Sequence, residues 1–400
     1  MGNLRAVHRT ITVVVVLFTL YLGCTGTLIQ LVDLRSLFEH APATDPNMQA
    51  MREGFDGPGI FKAISIPDYT AASISNNENP SAMLATVLQS TRARVGSAPL
   101  MFIELRTVNG TPVGQVNFGD KLLRFDALTG AFLGAFPIVQ ENESPDSQRN
   151  TVKHMHRMTG IGNWALWINV LVGTGLAGLI VTGVSMYSKL FAARFRIHRT
   201  NPFWSGGSWW RTLHRCVSIV AALFLSVVML SGTWLAVESL YFGYYMTHHR
   251  PGRGAVRVNP SSPLTDAALP GMLQTTLRAY QAAVPDVPAR VIRLRYYGGM
   301  PQGVIVTGEA EARQLVFNAA TGRRATETEP GYPTSGFPFG WQAHQWAKSV
   351  HRGDFFGISG RLMDLFAGVA MIYLSISGIV LYYELWNKRR RAGRSGLVWT

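Results

Sequence analysis

Four histidines, each followed directly by an arginine, are the residues of this sequence whose type and spacing favour chemistry. The His-Arg pairs are His8-Arg9, His156-Arg157, His214-Arg215 and His351-Arg352. A neutral imidazole is a good ligand for transition metals and for haem iron, and two imidazoles from facing helices can hold a haem without a covalent link. We therefore take these histidines as candidate metal ligands, provided that other elements bring them together in pairs.

Each His-Arg pair is followed, at one of two fixed distances, by a Thr-Gly or Ser-Gly pair. Two of these distances are 17 residues and two are 26: His8 to Thr25, His214 to Ser231, His156 to Thr182, and His351 to Ser377. The agreement between the two halves of the chain predicts an internal duplication. Small residues allow membrane helices to approach closely, so we expect the Thr/Ser-Gly pairs to serve helix packing.

Four apolar runs are long enough to place these residues on membrane-spanning helices. A hydrocarbon layer about 30 Å thick requires about 20 apolar residues in a helix. The predicted transmembrane helices are residues 11–32, 158–188, 216–237 and 361–385, the last with an uncharged centre from Leu365 to Tyr383. A cleaved signal peptide is the alternative for the first run, but that run continues for about two helical turns beyond Cys24.

Basic residues flank the apolar runs and account for most of the formal net charge of +14. Positive charge is retained on the cytoplasmic side of a membrane, so residues 1–10, the loop 189–215 and the tail 386–400 are predicted to be cytoplasmic. The loops 33–157 and 238–360 are then extracytoplasmic, as in a multi-pass protein of a bacterial inner membrane with both termini in the cytoplasm. Because membrane orientation explains the charge, nucleic-acid binding is disfavoured.

The two extracytoplasmic loops share a short turn motif. Phe125-Asp126-Ala127-Leu128-Thr129-Gly130 in the first loop matches Phe317-Asn318-Ala319-Ala320-Thr321-Gly322 in the second. Each lies in an alternating apolar stretch typical of strand, turn and strand, with glycine at the positive-φ position. The predicted fold is an integral α-helical membrane protein: four transmembrane helices from a duplicated helix-domain-helix unit, with two small α+β extracytoplasmic domains.

The cysteine content excludes several kinds of redox site. Cys24 and Cys216 are the only two cysteines, and no Cys-x-x-Cys motif is present. Thioredoxin-like chemistry, iron-sulfur clusters and covalently attached c-type haem are therefore excluded. A disulfide between the two is also excluded, because about 25 Å of helix separates their levels in the membrane.

Parallel duplication predicts a pseudo-two-fold axis along the membrane normal, which brings equivalent residues toward each other. His8 and His214 would then face each other near the inner surface, and His156 and His351 near the outer surface. The alternative is that each His-Arg pair is an interfacial anchor whose arginine reaches the head groups. A continuous helix of 26 residues rises about 39 Å, so we expect the outer pair at the membrane boundary rather than deep within it.

Two further histidines are candidate auxiliary groups near the outer pair. His344 and His351 are seven residues apart and would share one helix face, whereas His154 and His156 are two apart and would not. Each of the two is a candidate supporting group, replacement ligand or member of an outer metal site.

These features together resemble the PepSY-associated transmembrane-helix family, which includes iron-regulated membrane proteins and inner-membrane ferric-siderophore reductases. The resemblance rests on the four His-Arg pairs, the Thr/Ser-Gly pairs, the segment from His351 to Gly357 and the two Asp/Asn-Ala-x-Thr-Gly turns. It implies PepSY-like outer domains and two b-type haems, with His8, His214, His156 and His351 as ligands of haem iron. The sequence departs from the family pattern at residues 160–163 and in its short basic middle loop.

The function implied by the resemblance is that of a membrane oxidoreductase that passes electrons to an extracytoplasmic acceptor. A ferric siderophore is the candidate acceptor, and the cytoplasmic donor would be another protein or a diffusible reductant. A different hypothesis is a non-catalytic membrane protein whose PepSY-like domains bind or regulate a partner such as a protease. A transporter is disfavoured, because the centres of the four apolar runs carry no charged residue.

Overall fold

The computed structural model describes residues 2–42, 45–48, 50–51, 66–137, 146–248, 261–297, 300–310, 312–324, 340–394 and 396. Parts of both predicted outer loops and the end of the predicted cytoplasmic tail lie outside these residues. The chain forms two compact units. The helical unit comprises Met1–Arg35, Ser147–His249 and Ala347–Thr400, and the sheet unit comprises Ser36–Asp146 and Arg250–Trp346.

Four long apolar helices and several short ones are present among the described residues. In chain order the helices are α1 (Gly2–Phe38), α2 (Ile66–Tyr69), α3 (Pro80–Val95), α4 (Gln148–Arg157), α5 (Leu166–Phe195), α6 (Trp209–His248), α7 (Leu269–Ala283), α8 (Gly340–His351) and α9 (Gly357–Arg391). By length and composition, α1, α5, α6 and α9 can each cross a membrane. The protein is therefore a multi-pass membrane protein, and α1 and α6 carry His8 and His214 near their amino-terminal ends.

The chain does not pass directly from His156 into the next long helix. α4 ends at Arg157, Met158 adopts a left-handed conformation with φ 55°, and two 3-10 turns precede α5. Gly162, with φ 111°, allows a further change of direction. The long helix consequently begins at Leu166, eight residues after the start that the apolar run predicted.

An equivalent break precedes the last long helix. α8 ends at His351, Gly353 has φ 73°, and the 3-10 turn Asp354–Phe356 leads to Gly357 with φ 59°. A Cβ on Gly353 would overlap the carbonyl of Gly360, so this turn requires glycine. His156 and His351 thus belong to short helices that precede the long ones, whereas the sequence analysis expected them at the start of the long helices.

One antiparallel sheet runs through the sheet unit. Its strands are β1 (Phe102–Val108), β2 (Thr111–Phe118), β3 (Lys121–Asp126), β4 (Phe132–Pro137), β5 (Ser261–Ser262), β6 (Ala289–Tyr297), β7 (Met300–Thr307) and β8 (Gln314–Asn318). The order is β4-β3-β2-β1-β6-β7-β8, and β5 also pairs with β6. Pairing of β1 with β6 joins the two loops in one sheet, which differs from the two separate domains expected. The pairing satisfies backbone groups that two separate edges would leave open.

The two halves of the sheet are built alike. Asp126 accepts hydrogen bonds from the backbone of residues 128 and 129, and Asn318 accepts them from residues 320 and 321. Gly130 and Gly322, which follow these turns, have φ values of 75° and 74°. The side-chain oxygen of Asp or Asn forms the same turn in both halves of the sheet. We therefore assign each Asp/Asn-Ala-x-Thr-Gly motif a structural role and no chemistry.

Close packing of helices on the sheet supplies a first test. A Cβ on Gly303 of β7 would overlap the hydroxyl of Thr276, a fully buried residue of α7. Gly303→Ala is therefore expected to lower the free energy of unfolding by about 1–3 kcal/mol through overpacking. Gly271→Ala, at a helical position with no atom near the added Cβ, is the control and should leave stability unchanged or slightly higher. Thermal unfolding of both variants tests this, and equal melting temperatures would contradict it.

Candidate histidine-pair sites

Two of the four histidines lie beside a cavity in the helical unit. His8 of α1 and His214 of α6, the first histidine pair, line a cavity of about 420 Å³. Its walls are largely apolar side chains from all four long helices, including Val16, Leu179 and Leu374. Cofactor sites in proteins are commonly apolar cavities of about 300–1,000 Å³ with a few polar groups. The first histidine pair therefore lies beside a largely apolar cavity of the size that cofactor sites commonly have.

The other two histidines lie close together. The ring centres of His156 and His351, the second histidine pair, are 6.4 Å apart, and the ring planes differ by 38°. Metal–imidazole bonds are about 2 Å long, so two imidazoles that share one metal ion have ring centres about 6 Å apart. The second histidine pair thus has the separation that a shared metal ion requires.

Each of the four imidazoles makes a hydrogen bond through Nδ1 to a hydroxyl group on a different helix. The Nδ1–Oγ distances are 2.7 Å for His8 and Thr182, 2.9 Å for His156 and Thr25, 2.7 Å for His214 and Ser377, and 3.2 Å for His351 and Ser231. These hydroxyls are the Thr and Ser of the four Thr/Ser-Gly pairs. Beyond the helix packing expected of them, they orient the histidines.

The hydrogen-bond directions determine which imidazole nitrogen carries the proton. Each hydroxyl also contacts a carbonyl of its own helix: Thr25 to Tyr21 at 2.9 Å, Thr182 to Gly178 at 2.6 Å, Ser231 to Val227 at 2.7 Å and Ser377 to Leu374 at 3.2 Å. A carbonyl can only accept, so a hydroxyl that donates to its carbonyl accepts from Nδ1–H, and this geometry favours the tautomer with the proton on Nδ1. The Nε2 atom of each histidine then keeps its lone pair for a metal.

His351 gives independent support for this tautomer. Its Nδ1 also lies 3.2 Å from the carbonyl oxygen of Val228, which cannot donate. Because this carbonyl only accepts, the proton of His351 lies on Nδ1.

Three of the glycines in the Thr/Ser-Gly pairs leave room for the imidazole rings. A Cβ on Gly232 would lie 2.8 Å from Cε1 of His351, and one on Gly26 would lie 3.3 Å from Cε1 of His156. The corresponding distance from Gly183 to His8 is 3.7 Å. Gly378 instead faces Thr12 at 3.9 Å, so a close approach of histidine does not explain this fourth glycine.

The two histidine pairs lie at different levels of the helical unit. His8 is on α1, and Thr25, which holds His156, is 17 residues further along the same helix. At 1.5 Å per residue these levels are about 25 Å apart. Thr25 also lies about 10 Å inside the end of the apolar run 11–32. The helix breaks before Leu166 and Gly357 interrupt the continuous 39 Å rise that the sequence analysis assumed.

A buried charged network surrounds the elements that carry the second histidine pair. Asp33 of α1 pairs with Arg149 of α4 at 2.6 Å and with Arg361 of α9 at 2.7 Å. Arg361 also pairs with Asp354 at 2.5 Å, and Asp354 accepts a 2.6 Å hydrogen bond from Arg352. All these side chains are buried or nearly so. The network therefore connects α1, α4 and the break before α9.

The sequence analysis did not single out this network. The signal was the position of Asp33, Arg361 and Asp364 directly at the ends of apolar runs, where a charged side chain needs a partner. Gln30 makes a further connection there, since its amide donates hydrogen bonds to Asp364 and, at 3.2 Å, to the carbonyl of Arg352.

Each of the two auxiliary candidates lies on the same short helix as a member of the second histidine pair. His154 is exposed, and its Nδ1 lies 3.0 Å from the hydroxyl of Thr159 in the adjoining turn. His344 lies on α8, in the part of that helix that belongs to the sheet unit. Among the described residues, no three His, Cys, Asp or Glu side chains are grouped to hold a metal ion. An outer metal site built on these histidines is therefore not found in that part of the chain.

A helical unit with four long apolar helices, in which four histidines lie in two pairs, defines the class as a multi-pass membrane protein. The chain matches the PepSY-associated TM region over residues 5–384, and it belongs to that family. This match includes all four histidines and confirms the resemblance inferred from the sequence. No curated protein matches the chain.

Proposed function

We propose that this protein is a bacterial inner-membrane oxidoreductase that holds two b-type haems and moves electrons across the membrane to an extracytoplasmic acceptor, with a ferric siderophore as the candidate substrate. The observation that carries the proposal is the second histidine pair, with ring centres 6.4 Å apart and both Nδ1 atoms engaged. That arrangement leaves both Nε2 atoms available to one shared ion.

The first histidine pair also fits a haem. His8 and His214 line an apolar cavity of about 420 Å³, and the hydroxyls of Thr182 and Ser377 fix the same tautomer as in the second pair. A bound haem supplies reversible one-electron chemistry. His8 and His214 would hold the haem iron through Nε2, while the hydroxyls orient both rings through Nδ1 and the apolar side chains of α1, α5, α6 and α9 exclude water.

Two sites at different levels suit transfer across a membrane. The levels of the two histidine pairs are about 25 Å apart along α1, in a hydrocarbon layer about 30 Å thick. One site near each end of the bundle shortens the distance that an electron must cross in a single step. In the proposed orientation the basic loop 189–215 and the tail 386–400 are cytoplasmic, so the first pair receives electrons and the second pair delivers them.

Internal duplication explains why equivalent residues meet. Thr25 and Ser231 hold His156 and His351, and the matching turns at Asp126 and Asn318 occur in both halves of the sheet. We propose that one helix-domain-helix unit was copied and that its PepSY-like portions fused through strands β1 and β6.

Transfer across a sealed membrane tests the function. The purified protein is placed in liposomes that contain ferricyanide, and dithionite, which does not cross the bilayer, is added outside. We expect ferricyanide to be reduced at a rate that increases with the amount of haem-loaded protein. Liposomes with protein purified without haem are the control. An equal rate with and without haem would contradict the proposal.

Removal of the hydroxyl partners tests the ligand arrangement. In a Thr182→Val, Ser377→Ala variant, His8 and His214 lose the groups that hold Nδ1–H, so the Nε2 lone pairs are no longer fixed toward the cavity. We expect haem affinity at the first pair to fall about 10- to 100-fold, as is usual for groups that orient metal ligands. Titration followed at the Soret band measures this affinity.

Thr174→Val is the matched control for that variant. Thr174 is exposed on α5, and its hydroxyl donates to the carbonyl of Val170 at 2.8 Å. The Thr174→Val variant therefore loses a hydroxyl of the same kind, but this hydroxyl does not contact a histidine. Equal haem affinity in all three proteins would show that the hydroxyls do not orient the ligands.

A further inference from the structure

Four arginines lie at the mouth of the cavity beside the first histidine pair. Arg5 and Arg9 of α1 and Arg211 and Arg215 of α6 all line it; we call them the arginine mouth. We propose that the arginine mouth binds the two propionate carboxylates of a haem held by His8 and His214. This inference rests on the proposed function and extends it by assigning the orientation of the haem and the groups that recognise its acidic edge.

The same sequence motif places arginines beside both histidines of the first pair. Residues 5–9 and 211–215 both read Arg-x-x-His-Arg. Side chains three residues apart share one face of a helix. Arg5 therefore accompanies His8, and Arg211 accompanies His214, toward the same space. Two helices that present the same motif to one cavity place cations on both sides of any ligand between the imidazoles.

The cavity changes from basic to apolar along its length. Arg5 and Thr19 both line it, and 14 residues of α1 separate them, a rise of about 21 Å. Beyond the arginine mouth the lining includes Val16, Leu176 and Leu225. A haem has a broad apolar face and two carboxylates on one edge. Its propionate edge matches the mouth, and its opposite edge matches the apolar end.

The described lining of the cavity carries formal positive charge at the arginine mouth. Among the described residues that line the cavity, none is Asp or Glu. Guanidinium groups bind carboxylates through paired, charge-assisted hydrogen bonds, so a ligand with two carboxylates is complementary to this mouth.

Arg215 has a buried hydrogen-bond donor whose acceptor is not among the described residues. Its guanidinium donates to the carbonyl of Trp204 and stacks on the Trp204 ring, 4.3 Å from its centre. Its buried Nε has no hydrogen-bond acceptor among the described residues. Buried donors are rarely left without an acceptor, so this position favours a bound anionic oxygen.

Haem with esterified propionates distinguishes the carboxylates from the rest of the ligand. In full-length protein carrying His351→Ala, which leaves the first histidine pair as the intact site, haem and haem dimethyl ester are titrated separately at the Soret band. We expect haem to bind at least about tenfold more tightly than its dimethyl ester. Adding Arg211→Gln and Arg215→Gln should reduce that preference, because only Arg5 and Arg9 of the mouth remain, with the affinity for the dimethyl ester unchanged.

Arg199→Gln is the matched control, since Arg199 is an exposed residue of the loop between α5 and α6. It should keep the preference for haem. Unchanged binding of the dimethyl ester shows that the arginine variant is folded. Equal affinities of the unsubstituted mouth for haem and for its dimethyl ester would overturn the assignment. An arginine variant that loses a bound anionic phospholipid but keeps its preference for haem would also overturn it. If neither porphyrin binds, the proposed function itself fails, and this assignment fails with it.

Discussion

His351→Ala is expected to remove one of two haems and to leave the other in place. His351 offers Nε2 to a shared ion because Ser231 and the Val228 carbonyl both hold its Nδ1–H. Without it, His156 alone remains at the second pair. The first pair is about 25 Å away along α1 and is unaffected. Haem per protein should therefore fall to about half, as expected when one of two bis-imidazole sites is lost.

His214→Ala is the complementary variant, because it removes a ligand from the first pair instead. The two single variants should each retain one haem, with different absorbance spectra, and the double variant should retain none. His154→Ala is the matched control, since His154 is exposed and bonded to Thr159, and it should keep both haems. Full haem content in His351→Ala would show that this histidine is not a ligand.

Asp33→Asn is expected to be the most destabilising single change in the helical unit. Asp33 is 1 % exposed and lies between Arg149 and Arg361, which are also almost fully buried. The amide cannot balance these two cations. Breaking a buried ion pair by removing one partner costs about 3–5 kcal/mol, because the remaining charge is left in a poorly solvated site. The melting temperature in detergent should fall clearly, and haem should be lost first from the second pair.

Two further variants make this prediction sharp. Asp120→Asn makes the same carboxylate-to-amide change at an exposed position of the sheet unit and should leave the melting temperature unchanged. Asp33→Asn combined with Arg149→Met removes one of the stranded cations and should recover part of the lost stability. A single Asp33→Asn variant as stable as the parent protein would show that the network does not hold α1, α4 and α9 together.

The four apolar helices and the pairing of histidines could be predicted from the sequence because both depend on repeated patterns. The length of an apolar run is a local property, and the equal distances from His8 to Thr25 and from His214 to Ser231 are visible without coordinates. The role of Thr25 could not be predicted in this way. Its partner is His156, 131 residues away, and no local pattern states which helix a hydroxyl will face.

The breaks before α5 and α9 were missed for a different reason. Residues 158–188 form one uninterrupted apolar run, which suggested one continuous helix. Met158 and Gly162 have positive φ, however, and separate α4 from α5. Backbone conformation at single residues decided where His156 lies. Likewise, the pairing of β1 with β6 joins strands from opposite halves of the chain. The sequence predicted strands around the turns at Asp126 and Asn318, but it did not predict the pairing of β1 with β6.

The most direct test is the amount of haem in protein purified from haem-replete cells. The account predicts two haems per chain, a reduced-minus-oxidised difference spectrum of b-type haem, and a reduction to one haem in either His214→Ala or His351→Ala. A purified protein that is colourless, or that holds haem in the same amount when all four histidines are replaced, would contradict it.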